Sequence, residues 1–301
     1  MKPRHFLSRA LPAVLLTAAV PLSAQNADPE AAAEEEDIVV TGKGEPVDRR
    51  EVTRQARAIS RATDVRHTAL ARFEDRACPG VAGLKQEFAE FVVARIRMIA
   101  EDLDIPLAKE GECSPNILVV FTDDGRADLA EIERKTRQIS EVLSVNEKRE
   151  LLEESGPVRV WSIVETRLRN GMPVARRRDL VNIPVARMEG GQSLISTTTR
   201  QDITAAMVLF DRDEVRGKTL HQLADYTVMR VFARTRDVEG AGAPDSILGL
   251  FDADNPSPPD GLTEFDRAYL ATLYEGVPYI AGISKLLSVG STLEKLQQAE
   301  D

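Results

Sequence analysis

At 301 residues, with 43% apolar side chains, the chain is long enough to bury the core of one large domain. Its 49 acidic residues against 39 basic ones give a formal net charge of -10. That balance argues against general nucleic-acid binding, which needs a basic face, and against attraction to anionic lipid.

Residues 1–24 read as a secretory leader. Lys2, Arg4 and Arg9 form its positive region, residues 10–20 its apolar region, and Ser23-Ala24 its small-residue exit, with cleavage before Gln25. The apolar run is too short to span a bilayer, and no later stretch is long and apolar enough to be a membrane helix. Cleavage removes three positive charges and deepens the acidic balance. No cysteine sits near the cleavage point, so no lipid anchor is expected there. The expectation is a soluble exported protein, periplasmic or secreted.

Residues 25–66 read as a disordered acidic and polar tether, because such composition buries too little apolar area to offset the entropy of ordering. Inside it stands one β-prone run, Asp37-Ile38-Val39-Val40-Thr41-Gly42. This run resembles the TonB box near the start of mature outer-membrane TonB-dependent receptors, where an extended segment pairs with an edge strand of TonB. The resemblance implies a docking strand at Ile38, Val39, Val40 and Thr41, with TonB as partner and main-chain bonds supplying the affinity. Read without it, the same residues are a β-prone patch in a linker. No receptor barrel follows, since the rest of the chain lacks the many alternating strands a barrel needs.

The folded domain is expected over residues 67–301. Leu84, Phe88, Phe91, Val92, Ile96, Ile99 and Leu103 recur at three-four spacing and predict an amphipathic helix over 84–103. Residues 116–121 form a continuous apolar run between Pro115 and Asp123-Asp124-Gly125, which fits a buried central strand. Cys78 and Cys113, an even count in an exported chain, predict one disulfide that pins this helix and strand together. It closes a loop of about 35 residues, worth on the order of 3 kcal/mol or somewhat more in the chain-entropy model. The absence of CxxC spacing argues against a redox motif.

A second helix is expected over 127–143, a short one capped by Ser144 through Glu153, and a strand over 158–168 followed by an Asn170-Gly171 turn. Residues 193–199 and 204–210 read as two further strands. A charged turn, 211–218, leads into a central helix over 219–233. Leu220, Leu223, Ala224, Val228 and Val231 form its main apolar stripe, and Met229 and Phe232 lie on other sides, as expected of a helix packed mid-domain. Then come a Gly/Ala/Pro loop, a short apolar segment over 246–251, a proline-rich loop, a helix over 262–274 and a last helix over 284–298. The order is α+β, a small mixed sheet with an edge strand before a central helix and a mostly helical C-terminal part.

The central helix carries His221-Gln222-Leu-Ala-Asp225. After it come Ser246-Ile247-Leu248-Gly249-Leu250-Phe251, and then Thr263 to Tyr274 with Asp266, Leu273 and Tyr274 in place. In that order these residues resemble the metzincins, zinc metallopeptidases of zincin fold. Their HExxHxxGxxH helix is followed by a methionine turn and a closing helix of D-x-x-x-x-x-x-L-Y form. The chain is also similar to an uncharacterised bacterial family of secreted proteins with the same three landmarks. The resemblance is strongest over residues 204–276. It implies a zincin-like fold with zinc ligands on the central helix.

The metal chemistry does not carry over. The general-base position holds Gln222, which cannot accept a proton from water. The second ligand position holds Asp225, the glycine position Val228 and the third ligand position Val231. The chain has three histidines: His5 leaves with the leader, His67 lies at the domain's edge, and His221 is the remaining one. A three-histidine site cannot be built from one mature chain.

A structural account of the same residues is complete. Thr219 and Gln222 form a capping box, and His221 and Asp225, four apart, can pair on one face. The alternative is an atypical zinc site of His221 and Asp225 with Glu264 or Asp266 from the closing helix. The last two also read as first-turn charges opposing the helix dipole. The favoured expectation is therefore an exported non-catalytic binding or envelope-structural domain with no cofactor. An atypical zinc metallohydrolase and an accessory of TonB-dependent transport are the alternatives.

Overall fold

A computed structural model describes residues 47–137, 143–174, 193, 195–236, 238 and 245–300. The leader and residues 25–46 of the expected tether, the Ile38–Thr41 segment among them, lie outside the described residues. Seven α-helices and four strands are described. They are α1 Arg49–Ile59, β1 Pro79–Ala82, α2 Gln86–Asp102, β2 Ile117–Thr122, α3 Gly125–Thr136, α4 Val145–Glu153, β3 Val158–Leu168, β4 Thr199–Asp211, α5 Leu220–Phe232, α6 Glu264–Tyr274 and α7 Gly282–Glu300. A 3-10 turn, Ile247–Phe251, sits between α5 and α6. The architecture is α+β, as expected.

The sheet has the order β1-β2-β4-β3. β1 and β2 pair in parallel, β2 and β4 in parallel, and β4 and β3 antiparallel. β4 is therefore interior, and the expectation that an edge strand precedes the central helix is corrected: among the described strands the edges are β1 and β3. The reason lies in strand length. β3 runs from Val158 to Leu168 and demands a partner as long, so β4 pairs with it from Thr199 to Phe210 and absorbs the end of the expected 193–199 strand. What remains of that stretch touches the rest of the fold at an isolated bridge, Ser196 to Ile280.

Helices cover both faces of the sheet. On one face Leu129 of α3 and Leu151 of α4 pack on Trp161 and Leu209. On the other, Val119, Phe121, Val160, Val208 and Phe210 face the main core, with α1, α2, α5, α6 and α7. Phe121 and Phe210 are register partners and stack with ring centroids 5.0 Å apart. Burying such a side chain contributes about 1.5–3 kcal/mol. α5 is buried at every residue from Gln222 to Phe232, which is why its apolar residues occur on all sides.

The expected tether is corrected at its C-terminal end. α1 begins where the Asp48 carboxylate accepts from the amides of Arg50 and Glu51. Val52, Ala56 and Ile59 then form a buried stripe at helical spacing. Its partner is α7. A Cβ on Gly290 would stand 3.1 Å from Arg49, so the missing side chain lets the two helices close. α3 also ends earlier than expected, because Arg137 turns into the left-handed region at φ 52. Cys78 and Cys113 form the expected disulfide, with an S–S distance of 2.04 Å.

Candidate functional site

α5 starts with a complete capping box. Thr219 Oγ1 accepts from the Gln222 amide at 3.1 Å, and Gln222 Oε1 accepts from the Thr219 amide at 3.0 Å. Gln222 Nε2 donates to the Pro259 carbonyl at 2.8 Å. The side chain at the general-base position is thus committed at both ends, to its own helix and to the loop before α6.

Asp225 is fully buried. Arg95 of α2 grips it with both arms, Nε to Oδ1 at 2.7 Å and Nη2 to Oδ2 at 2.8 Å. The Leu262 amide donates to Oδ2 at 2.8 Å. His221 Nε2 stands 3.4 Å from the same oxygen, and its side chain is 45% exposed. Gly261 makes this approach possible: a Cβ there would lie 2.6 Å from Asp225 Oδ2 and 3.3 Å from His221 Nε2. A charge buried this deeply persists only when paired and hydrogen-bonded, and here it is both.

The two carboxylates of the closing helix are engaged elsewhere. Asp266 is buried, and accepts from Ser246 Oγ at 2.5 Å, the Ile247 amide at 2.8 Å and the Thr263 amide at 3.1 Å. It ties the 3-10 turn to the start of α6. Burial pushes its carboxyl up to about 6, against these donors. Glu264 is exposed and accepts from Gln297 of α7 at 2.7 Å. Among the described residues no three His, Cys, Asp or Glu side chains converge as a metal would require. The structure brings His221 and Asp225 together but spends the carboxylate on Arg95, so these residues do not fit a zinc ion.

A second constellation lies where α1 and α5 end. Ser60 bridges Thr235, and the Arg236 amide donates to the Ile59 carbonyl at 2.9 Å. This backbone clasp sets Arg61 beside Arg234 and Arg236, and Arg230 lies one turn back on α5. Arg61, Arg230 and Arg234 wall a chamber of about 20 Å³ with Trp161, Ser162 and Glu147. Arg61, Arg234 and Arg236 also wall an outer cleft of about 480 Å³ with Ser144, Glu147 and Glu150. Arg234 follows the last residues of α5 in the left-handed region at φ 47, a place where glycine is usual and an arginine is strained.

The charges of this cleft press on each other. Burial, then the neighbouring charges of Arg230 and Arg234, hold the Arg61 guanidinium below its ordinary range, and Glu150 opposes them from 3.1 Å. Glu147 does two jobs. Its Oε2 accepts from Ser144 as the far half of the α4 capping box, and its Oε1 accepts from Arg234. Burial works to raise its carboxyl, but Ser144 and Arg234 outweigh it and hold the group below the carboxylate range. Sequence reading missed this cleft. The one signal was local, Arg230, Arg234 and Arg236 closing a helix, while Arg61 comes from the far end of the chain.

Comparison with family models, with curated proteins and with solved structures gives no match. Among the described residues no helix is long and apolar enough to cross a membrane.

Proposed function

We propose that the chain is an exported, non-catalytic binding or envelope-structural domain on a degenerate zincin-like scaffold, with α5 as its internal pillar. One observation carries the reading: Asp225, at the second ligand position of the resembled helix, has both carboxylate oxygens taken by Arg95 and the Leu262 amide. Gln222 supports it, since a carboxamide bound to Thr219 and Pro259 cannot serve as the base of a hydrolase. The disulfide supports export, because such bonds persist in oxidising compartments. The order of α5, the 3-10 turn and α6 supports the scaffold.

Metal analysis of untagged protein tests the reading. Zinc well short of one ion per chain, and unchanged folding in His221→Ala, is the expected result. Stoichiometric zinc that disappears in His221→Ala, together with chelator-sensitive hydrolysis, overturns it in favour of an atypical metallohydrolase.

A further inference from the structure

The outer cleft gathers three guanidinium groups, those of Arg61, Arg234 and Arg236, from two distant segments of a chain whose formal net charge is -10. Among the described residues, Glu147 and Glu150 are the acidic ones on its walls. Like charges repel, and crowding them costs free energy unless something offsets it. The strained Arg234 backbone adds to that cost, and strain of this kind concentrates at binding sites. Glu147 answers Arg234 only with the oxygen that its capping duty leaves over. A guanidinium is a planar fork that matches a carboxylate or phosphate group with two parallel hydrogen bonds.

We propose that this cleft binds a small oxyanion, a carboxylate or phosphate group of a soluble ligand, held between Arg61 and Arg234 with Arg236 at the rim. The ligand takes Arg234 from Glu147, which stays bound to Ser144. Glu153 and Glu154 stand beyond Arg61 and Arg236 and make the surroundings acidic. They turn away polyanions and leave room for a small, singly engaged group. The site stands on its own geometry, whether or not α5 holds a metal.

Calorimetric titration with inorganic phosphate and, separately, with succinate tests this at constant ionic strength in chloride. The expected result is saturable binding of at least one anion with a dissociation constant of about 1 mM or tighter. Binding of phosphate alone assigns a phosphate ligand, and of succinate alone a carboxylate ligand. Arg61→Gln and Arg234→Gln each weaken binding about tenfold or more. Glu147→Gln keeps the capping box, because glutamine also serves at that position, and tightens binding by removing the competing carboxylate. It keeps the test open if an arginine variant does not fold. No saturable binding in either the wild type or Glu147→Gln overturns the proposal. So does binding that Arg61→Gln and Arg234→Gln, shown folded by circular dichroism, leave unchanged.

Discussion

Arg95 and Asp225 join α2 to α5 through two parallel hydrogen bonds of 2.7 and 2.8 Å, with the carboxylate fully buried. Removing one member of such a pair strands the other. Asp225→Ala is expected to cost about 3–5 kcal/mol, whereas His221→Ala, on the exposed side of the same carboxylate, changes stability by no more than about 0.5 kcal/mol. Urea unfolding of both variants checks this. Equal losses would mean that His221 is an essential partner of the buried carboxylate. The apolar pair Arg95→Met with Asp225→Leu should recover part of the Asp225→Ala loss, since the penalty belongs largely to the unpaired charge.

Asp266 predicts a pH dependence. Its folded pKa is about 6, above the ordinary value of 3.8. A group raised in this way contributes stability that is fully present below about pH 3.8 and is lost as pH rises through 6. The full difference is at most about 3 kcal/mol. The stability of the wild type relative to Asp266→Asn should therefore rise as pH falls from 7 to 4. Thermal melts across that window read it directly. A flat difference would show that the carboxylate stays charged throughout.

The disulfide should contribute about 3 kcal/mol or somewhat more, the value for a closed loop of this length. The chain between Cys78 and Cys113 holds β1, α2 and the approach to β2. Replacing both cysteines by serine, or reducing the bond, is expected to lower the unfolding free energy measured in urea by that amount. It should also raise hydrogen exchange in β1 before it does so in β3. Unchanged exchange in β1 would place the gain in the unfolded chain alone.

Gly261→Ala tests the closeness of the loop to the buried pair. The added Cβ would meet Asp225 Oδ2 at 2.6 Å, so the loop must withdraw and the Leu262 hydrogen bond must lengthen. A loss of about 1–3 kcal/mol is expected. In Gly217→Ala the new Cβ meets nothing within 4 Å, and the cost comes only from its φ of +86, about 1–2 kcal/mol. A Gly261 variant as stable as the wild type would mean that the loop gives way freely.

Local rules were readable in this chain wherever the partners sit a few residues apart. The Thr219–Gln222 box spans three residues, Ser144 caps α4 as expected, and β3 is bounded as its pattern predicts. α1 escaped because it has only Val52, Ala56 and Ile59 to bury, and their cover is α7 at the other end of the chain. The Arg95–Asp225 pair spans 130 residues, so nothing near Asp225 announces that its carboxylate is already spoken for. The arginine cleft is illegible for the same reason: it exists only once the Ser60–Thr235 bridge has closed.

Trp161 is the one tryptophan of the chain, and it lines the chamber that Arg61, Arg230 and Arg234 surround. The molecule therefore carries its own optical probe at that spot. Emission excited in the indole band comes from a single known position. Any rearrangement of the nearby guanidinium groups alters the field at the ring and shifts its colour or intensity, so occupancy can be followed in solution without attaching a dye.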